Sequence, residues 1–186
     1  SSNDNLVSGN NVYSNNVNGI RISFSSDNIV SDNNIFLNNV NGIRLSSSSR
    51  NIVSSNNVYS NIYGIRLDSS SDNNTIYHNN FNNTDQVRTD SVNFWDYNRE
   101  GNHWSDYKGQ DLLEDGIGDT PYIIDPNNQD NNPLMGKFSD FSVAWKDKTH
   151  HVTAICNSTI SNFRFEVDRK TGDKILSFDV TGEDGK

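Results

Sequence analysis

At 186 residues the chain has room for one or two domains. Only 32% of its residues are hydrophobic, its net charge is −9, and Cys156 is its single cysteine. Together these exclude an intrachain disulfide framework, disfavour nucleic acid as a partner because phosphate neutralisation needs a basic patch, and leave no stretch apolar enough for a signal peptide or a bilayer span.

In chain order, the first legible stretch is Asn18-Gly19-Ile20-Arg21-Ile22, which returns as Asn41-Gly42-Ile43-Arg44-Leu45 and again as Tyr63-Gly64-Ile65-Arg66-Leu67. Aligning these copies brings Asn5, Asn28, Asn51 and Asn74 into one column and Asn10, Asn33, Asn56 and Asn79 into another, both at a period of 23 residues. A fixed period of that size marks a solenoid, in which no copy buries its apolar face alone. Helical spacing is absent. Val7, Val12, Ile20 and Ile22 recur as Val30, Ile35, Ile43 and Leu45, then as Val53, Val58, Ile65 and Leu67, each isolated by Ser, Asn or Gly. The Arg between each closing pair of apolar residues gives period-two alternation with Arg outward, so each copy reads as several short strands joined by tight turns. Stacked at about 4.8 Å, such copies form a parallel β-helix. Gly64 arrives one residue early and the following Ser turn is one residue longer, as expected if strands must stack while turns vary in length.

Residues 1–83 contain 23 asparagines, a composition that by itself suggests disorder. The strict period argues otherwise, because inward amides at coil corners can hydrogen-bond their equivalents above and below. The fourth copy places Ile76 and Phe81 in the columns of Val53 and Val58 but lacks the Gly-Ile-Arg strand. The reading is about four coils over 1–84, then a cap. The chain opens inside a repeat without the polar end a solenoid requires, which implies a preceding segment carrying any secretion signal.

Residues 85–138 hold four basic and eleven acidic side chains, so the acidity is concentrated there and a divalent cation is a natural partner. Phe94, Trp95, Tyr97, Trp104 and Tyr107 supply enough apolar surface to close the end of a narrow β-helix and cover its strand edges; the competing use is a platform for sugar rings. Asp111, Asp115 and Asp119 stand at positions 1, 5 and 9 of a calcium loop, with Gly116 at the sharp turn and the Ile117 carbonyl at position 7. Leu113 and Tyr122 depart from that pattern, and an acidic surface turn is the plain alternative.

The Asn-Asn-Thr-Ile and Gly-Ile-x-Leu elements resemble the repeats of right-handed parallel β-helix proteins of the pectate-lyase-like type. Gly101-Asn102-His103-Trp104-Ser105-Asp106-Tyr107, Asp115-Gly116-Ile117-Gly118-Asp119-Thr120-Pro121-Tyr122 and Asn128-Gln129-Asp130-Asn131-Asn132-Pro133-Leu134-Met135 narrow this further. In that order they resemble the end of the NosD-type periplasmic copper-binding domain, especially copies in archaeal cell-surface and surface-layer proteins. The resemblance implies an extracellular or periplasmic β-helix with no catalytic motif to carry over. Copper itself is disfavoured: His78, His103, Met135 and Cys156 are scattered and only His150 and His151 are adjacent.

Arg21, Arg44 and Arg66 form an outward column that suits a carboxylated or sulfated glycan; the alternative is pairing with Asp68 or turn oxygens. A polysaccharide lyase or hydrolase would need a base with a neutralising cation, or two facing carboxylates, and coils 1–4 show no outward Asp cluster. From 139 to 186, Val152–Cys156, Phe163–Val167 and Ile175–Val180 alternate as antiparallel strands of an incomplete sandwich. Asn73-Asn74-Thr75, Asn82-Asn83-Thr84 and Asn157-Ser158-Thr159 match the glycosylation sequon, as chance allows in so Asn-rich a chain. The sequence thus reads as an all-β, non-catalytic scaffold of a cell-surface protein. Its partners are surface glycan or neighbouring surface-protein domains, with a carbohydrate-active enzyme and a copper-delivery protein as alternatives.

Overall fold

The computed structural model describes residues 2–68, 70–113 and 115–138, together with the backbone of Phe141–Lys146 and His151–Cys156. The chain divides into two units at residues 138/139, and each is described by itself.

In the first unit each of four coils contributes one strand to each of three parallel sheets, and His103–Trp104 adds a fifth rung to one of them. One sheet stacks β1 (Leu6–Ser8), β4 (Ile29–Ser31), β7 (Ile52–Ser54) and β10 (Thr75–Tyr77). The second stacks β2 (Asn11–Tyr13), β5 (Asn34–Phe36), β8 (Asn57–Tyr59), β11 (Asn80–Asn82) and β13 (His103–Trp104). The third stacks β3 (Asn18–Ser23), β6 (Asn41–Ser46), β9 (Tyr63–Asp68) and β12 (Asp85–Thr89). The core is a set of columns: Val7, Val30, Val53 and Ile76 lie in register, as do Val12, Ile35, Val58, Phe81 and Trp104. The fold is therefore the expected parallel β-helix.

The corners follow one local rule. A residue in the left-handed region immediately precedes an inward Asn: Asp4, Asp27, Arg50 and Asn73 before Asn5, Asn28, Asn51 and Asn74, and Gly9, Asp32, Ser55 and His78 before Asn10, Asn33, Asn56 and Asn79. Turning the chain this way uncouples corner amides from the strand ladders, and an inward side chain must satisfy them. Asn56 is typical. Its Nδ2 donates to the carbonyls of Val30 and Ser54 and to Asn79 Oδ1, each at 2.9 Å. Its Oδ1 accepts from Asn33 N at 3.0 Å and Asn33 Nδ2 at 2.9 Å. The two columns visible in the sequence are joined by a third, Asn15, Asn38, Asn61 and Asn83, and by a serine column, Ser25, Ser48, Ser71 and Ser91.

Stacking continues past residue 84. Although the fourth coil lacks Gly-Ile-Arg, β12 pairs with β9 and sets Val87 beside Ile65 and Arg88 beside Arg66. The amide ladders run further still and end on three different groups. Asn93 N donates to Asn128 Oδ1 at 3.0 Å, Asn102 N to Asp130 Oδ2 at 2.7 Å, and Asn83 N to Gln86 Oε1 at 3.0 Å. Trp95 and Trp104 are buried over the last coil, with Trp104 stacked between Phe81 (4.8 Å) and Tyr122 (4.4 Å). Phe94 and Tyr97, by contrast, are exposed, so the closing surface is built by Trp95, Trp104, Tyr107 and Tyr122. Tyr122 comes from the antiparallel pair β14 (Tyr122–Asp125) and β15 (Asn128–Asp130).

In the second unit, β16 (Phe141–Lys146) and β17 (His151–Cys156) form an antiparallel pair. Phe163–Val167 and Ile175–Val180 lie outside the described residues.

Candidate functional site

The outer face of the third sheet carries the arginine column. Arg21, Arg44, Arg66 and Arg88 are in register, one per coil, flanked by Ser23, Ser46 and Asp68 in the next outward column. The sequence yields the first three through the repeated motif. Arg88 was hidden because Gln86-Val87-Arg88 replaces Gly-Ile-Arg, leaving only its distance from Arg66 as a signal.

Asp68 sits between two rungs, accepting Arg44 Nε at 2.8 Å and Arg66 Nε at 2.6 Å with only 13% of its side chain exposed. Burial by itself pushes this carboxyl up, but the hydrogen bonds and charges of Arg66 and Arg44 outweigh it and hold the group below its ordinary value. Arg21 Nε donates to Ser23 Oγ at 2.8 Å, and Arg88 Nη1 donates to the Tyr63 hydroxyl at 3.0 Å while lying over the Tyr63 ring. Asp68 thus offsets one of the two positive charges in the middle of the column. Arg21 and Arg44 spend only Nε on these contacts, and their Nη nitrogens have no partner among the described residues.

The proposed calcium loop folds as an Asp-capped turn. Asp111 accepts the amides of Asp115 (3.2 Å) and Gly116 (2.8 Å) through its two carboxylate oxygens, and Asp115 accepts the amide of Ile117 at 3.0 Å. Asp119 accepts the amide of Leu112. Accepting an amide uses one lone pair of each of these carboxylate oxygens and leaves another open. No group of three or more His, Cys, Asp or Glu stands at metal-holding distance among the described residues.

Of the four histidines, His78 and His103 have described side chains. His78 Nε2 is held by Glu100 at 2.6 Å and its ring stacks on Phe138 at 3.9 Å. His103 lies in β13, its Nδ1 buried without a partner and its basicity lowered by burial and by Lys137. Asp106 and Tyr122 form a pair, with the phenol donating at 3.2 Å to both carboxylate oxygens. Burial first, then the Asp106 charge, pushes that phenol well above its ordinary value and keeps it a neutral donor.

Among the described residues the most perturbed carboxyl is Asp130, fully buried at a ladder end, where it accepts from Trp104 Nε1 at 2.9 Å and Asn132 N at 3.0 Å as well as from Asn102. Burial dominates these donors and pushes it up to about 6. A folded-state value above the unfolded one of 3.8 means the native state holds the proton more tightly. The contribution is therefore complete below pH ~4 and is lost as pH rises through about 6, by on the order of 2–3 kcal/mol. His103 runs the opposite way just below its unfolded value of 6.5, so the comparison must be made against Asp130→Asn. Urea midpoints measured between pH 4 and 7 are expected to fall in the parent relative to that variant; parallel profiles would refute the assignment.

Comparison with known proteins adds the following. The family model described as periplasmic copper-binding protein (NosD) matches residues 1–109. Among solved structures, a T265N mutant of the periplasmic alginate epimerase AlgG aligns at 30% identity and a TM-score of 0.47. That alignment covers 50% of this chain and 23% of the epimerase chain, so the protein spans about a quarter of that neighbour's length. No curated protein matches. Because the family model takes in more than half of the residues, through the repeats, Phe81 and Trp104, the chain belongs to the NosD family.

Proposed function

We propose that this chain is a non-catalytic, rigid β-helix scaffold of an extracytoplasmic protein. The observation that carries this reading is the interior itself. Side chains at inward positions are spent on stacked apolar columns and amide ladders, from Val30 through Trp104 and from Asn28 through Asn128. The ion pairs among the described residues include Asp68 with two arginines and Asp27 with Arg50. Such a body transmits position along its axis. Lysis or hydrolysis of a polysaccharide needs an acid and a base converging on one bond. Incubation with polyuronates should accordingly release no reducing or unsaturated ends, and elemental analysis of purified protein should find no stoichiometric copper; either product overturns the reading.

A second reading rests on the free Nη nitrogens of Arg21 and Arg44. They offer adjacent charge-assisted donors to a carboxylated or sulfated glycan laid along the coil axis. Affinity electrophoresis in polygalacturonate gels should show salt-sensitive retardation. Arg21→Gln, which leaves the Asp68 pairs intact, should weaken it about fivefold, equivalent to about 1 kcal/mol. Retardation unchanged by Arg21→Gln removes the column as the binding surface.

A further inference from the structure

Two sequons fall among the described residues, and the fold treats them differently. In Asn73-Asn74-Thr75 the threonine is half-buried in β10, between Ile52 on one side and Phe94 on the other. In Asn82-Asn83-Thr84 both Asn82, the outward last residue of β11, and Thr84, in the turn that follows, are exposed. Neither side chain has a hydrogen-bond partner among the described residues. That sets Asn82 apart from ladder asparagines such as Asn79, whose amide atoms are all engaged.

The position of Asn82 carries the argument further. Its outward column contains Tyr13, Phe36 and Tyr59, the first two stacked at 5.1 Å and the last two at 5.0 Å with planes 2° apart. At the fourth rung the column changes from a ring to Asn82, and the coil above continues with Ser105, whose amide donates to the Phe81 carbonyl. Two consecutive small residues leave the upper face of Tyr59 with no ring on it. Elsewhere in the column the same face is covered by the next aromatic side chain. A pyranose ring has an apolar face that stacks on aromatics, and one linked to Asn82 Nδ2 would start one strand spacing, about 4.8 Å, above Tyr59.

We infer that Asn82 is an N-glycan acceptor whose first sugar completes the aromatic column by stacking on Tyr59. The donor is an oligosaccharide carried on a polyprenyl phosphate or diphosphate. Its C1–O bond to phosphate breaks and the lipid phosphate leaves with the electron pair. A C1–Nδ2 bond to Asn82 forms and the amide gives up one proton, so no oxidant or reductant enters. The exposed Thr84 hydroxyl supplies the hydroxyl that the acceptor sequence requires.

The test is to secrete the intact chain through the yeast pathway, remove glycans with an amidase in heavy-oxygen water, and read the labelled positions by peptide mass spectrometry. Label at position 82 in most copies, with position 73 largely unlabelled, is expected; Thr84→Ala should abolish it. Folded, secreted protein bare at Asn82, or labelled equally at both positions, overturns the assignment. The second arm asks whether the sugar stacks. Trimming to the first sugar should leave Tm about 2–4 °C above that of deglycosylated protein, and Tyr59→Ala should erase this difference. A difference that survives Tyr59→Ala, or none in the parent, overturns the stacking.

Discussion

Asn56→Asp is expected to cost about 4 kcal/mol of unfolding free energy, and Asn56→Ala about 3 kcal/mol. The site is fully buried, and its amide nitrogen faces three acceptors, the Val30 and Ser54 carbonyls and Asn79 Oδ1. Alanine leaves Val30 O, Ser54 O and the Asn33 amide short of a partner. Aspartate keeps the shape but turns a donor toward three acceptors into a fourth acceptor, and adds a buried charge with no cation in contact. Because coils interact only with their neighbours, the loss falls on the joints between three consecutive coils and should lower the cooperativity of unfolding as well. Urea titration followed by circular dichroism measures both, with Asn16→Asp on the exposed turn, expected within about 0.5 kcal/mol of the parent, as the control. Equal stability of Asn56→Asp and Asn16→Asp would show that the inward amides do not hold the coils together.

The acid at Asp130 makes the same point in reverse. It occupies the end of the ladder that runs through Asn56, Asn79 and Asn102, where its neighbours are all donors. A carboxylate there accepts without needing an acceptor of its own, so the amide series can stop without an orphaned N–H. Asparagine is required within the column, and aspartate is suited to its end.

Gly42→Ala is expected to cost about 3 kcal/mol, the upper range for an added methyl group in a packed interior. A Cβ at this position would lie 2.5 Å from Val58 Cγ1, 2.7 Å from the Gly64 carbonyl and 3.0 Å from Asn61 Nδ2. The Gly64 carbonyl belongs to the next coil, so relief requires two coils to part. Gly9→Ala provides the contrast: φ is +70° but a Cβ there meets nothing within 4 Å, and the expected cost is about 1 kcal/mol. Thermal denaturation of the two variants should rank Gly42→Ala well below Gly9→Ala. The opposite ranking would mean that backbone conformation, rather than contact between coils, explains the repeated glycine.

Much of this was legible because the repeat writes each contact several times. Val7, Val30, Val53 and Ile76 align in the sequence and align in space, and the residue lost before Gly64 is taken from the turn between Asn61 and Tyr63, so the strands stay in register. The third amide column, Asn15, Asn38 and Asn61, has the same 23-residue spacing and was available to the same reasoning. The departures explain one irregularity: Tyr63 replaces the Asn18 and Asn41 of its column, and Asn41 Oδ1 is left buried without a partner.

By itself, then, the sequence determined the coil, its period and the inward and outward positions, since a stacked residue meets its own counterpart and one period specifies the neighbour. It could not determine how the stack closes. Asn93 follows Asn74 by 19 residues, Asn128 follows Asn93 by 35, and Asp130 follows Asn102 by 28, so no period connects them. Those pairings exist only where the tertiary structure brings β15 over the last coil. There the open amides and the bare face of Trp104 required partners, and distance in space rather than along the chain chose Asn128, Asp130 and Tyr122 to supply them.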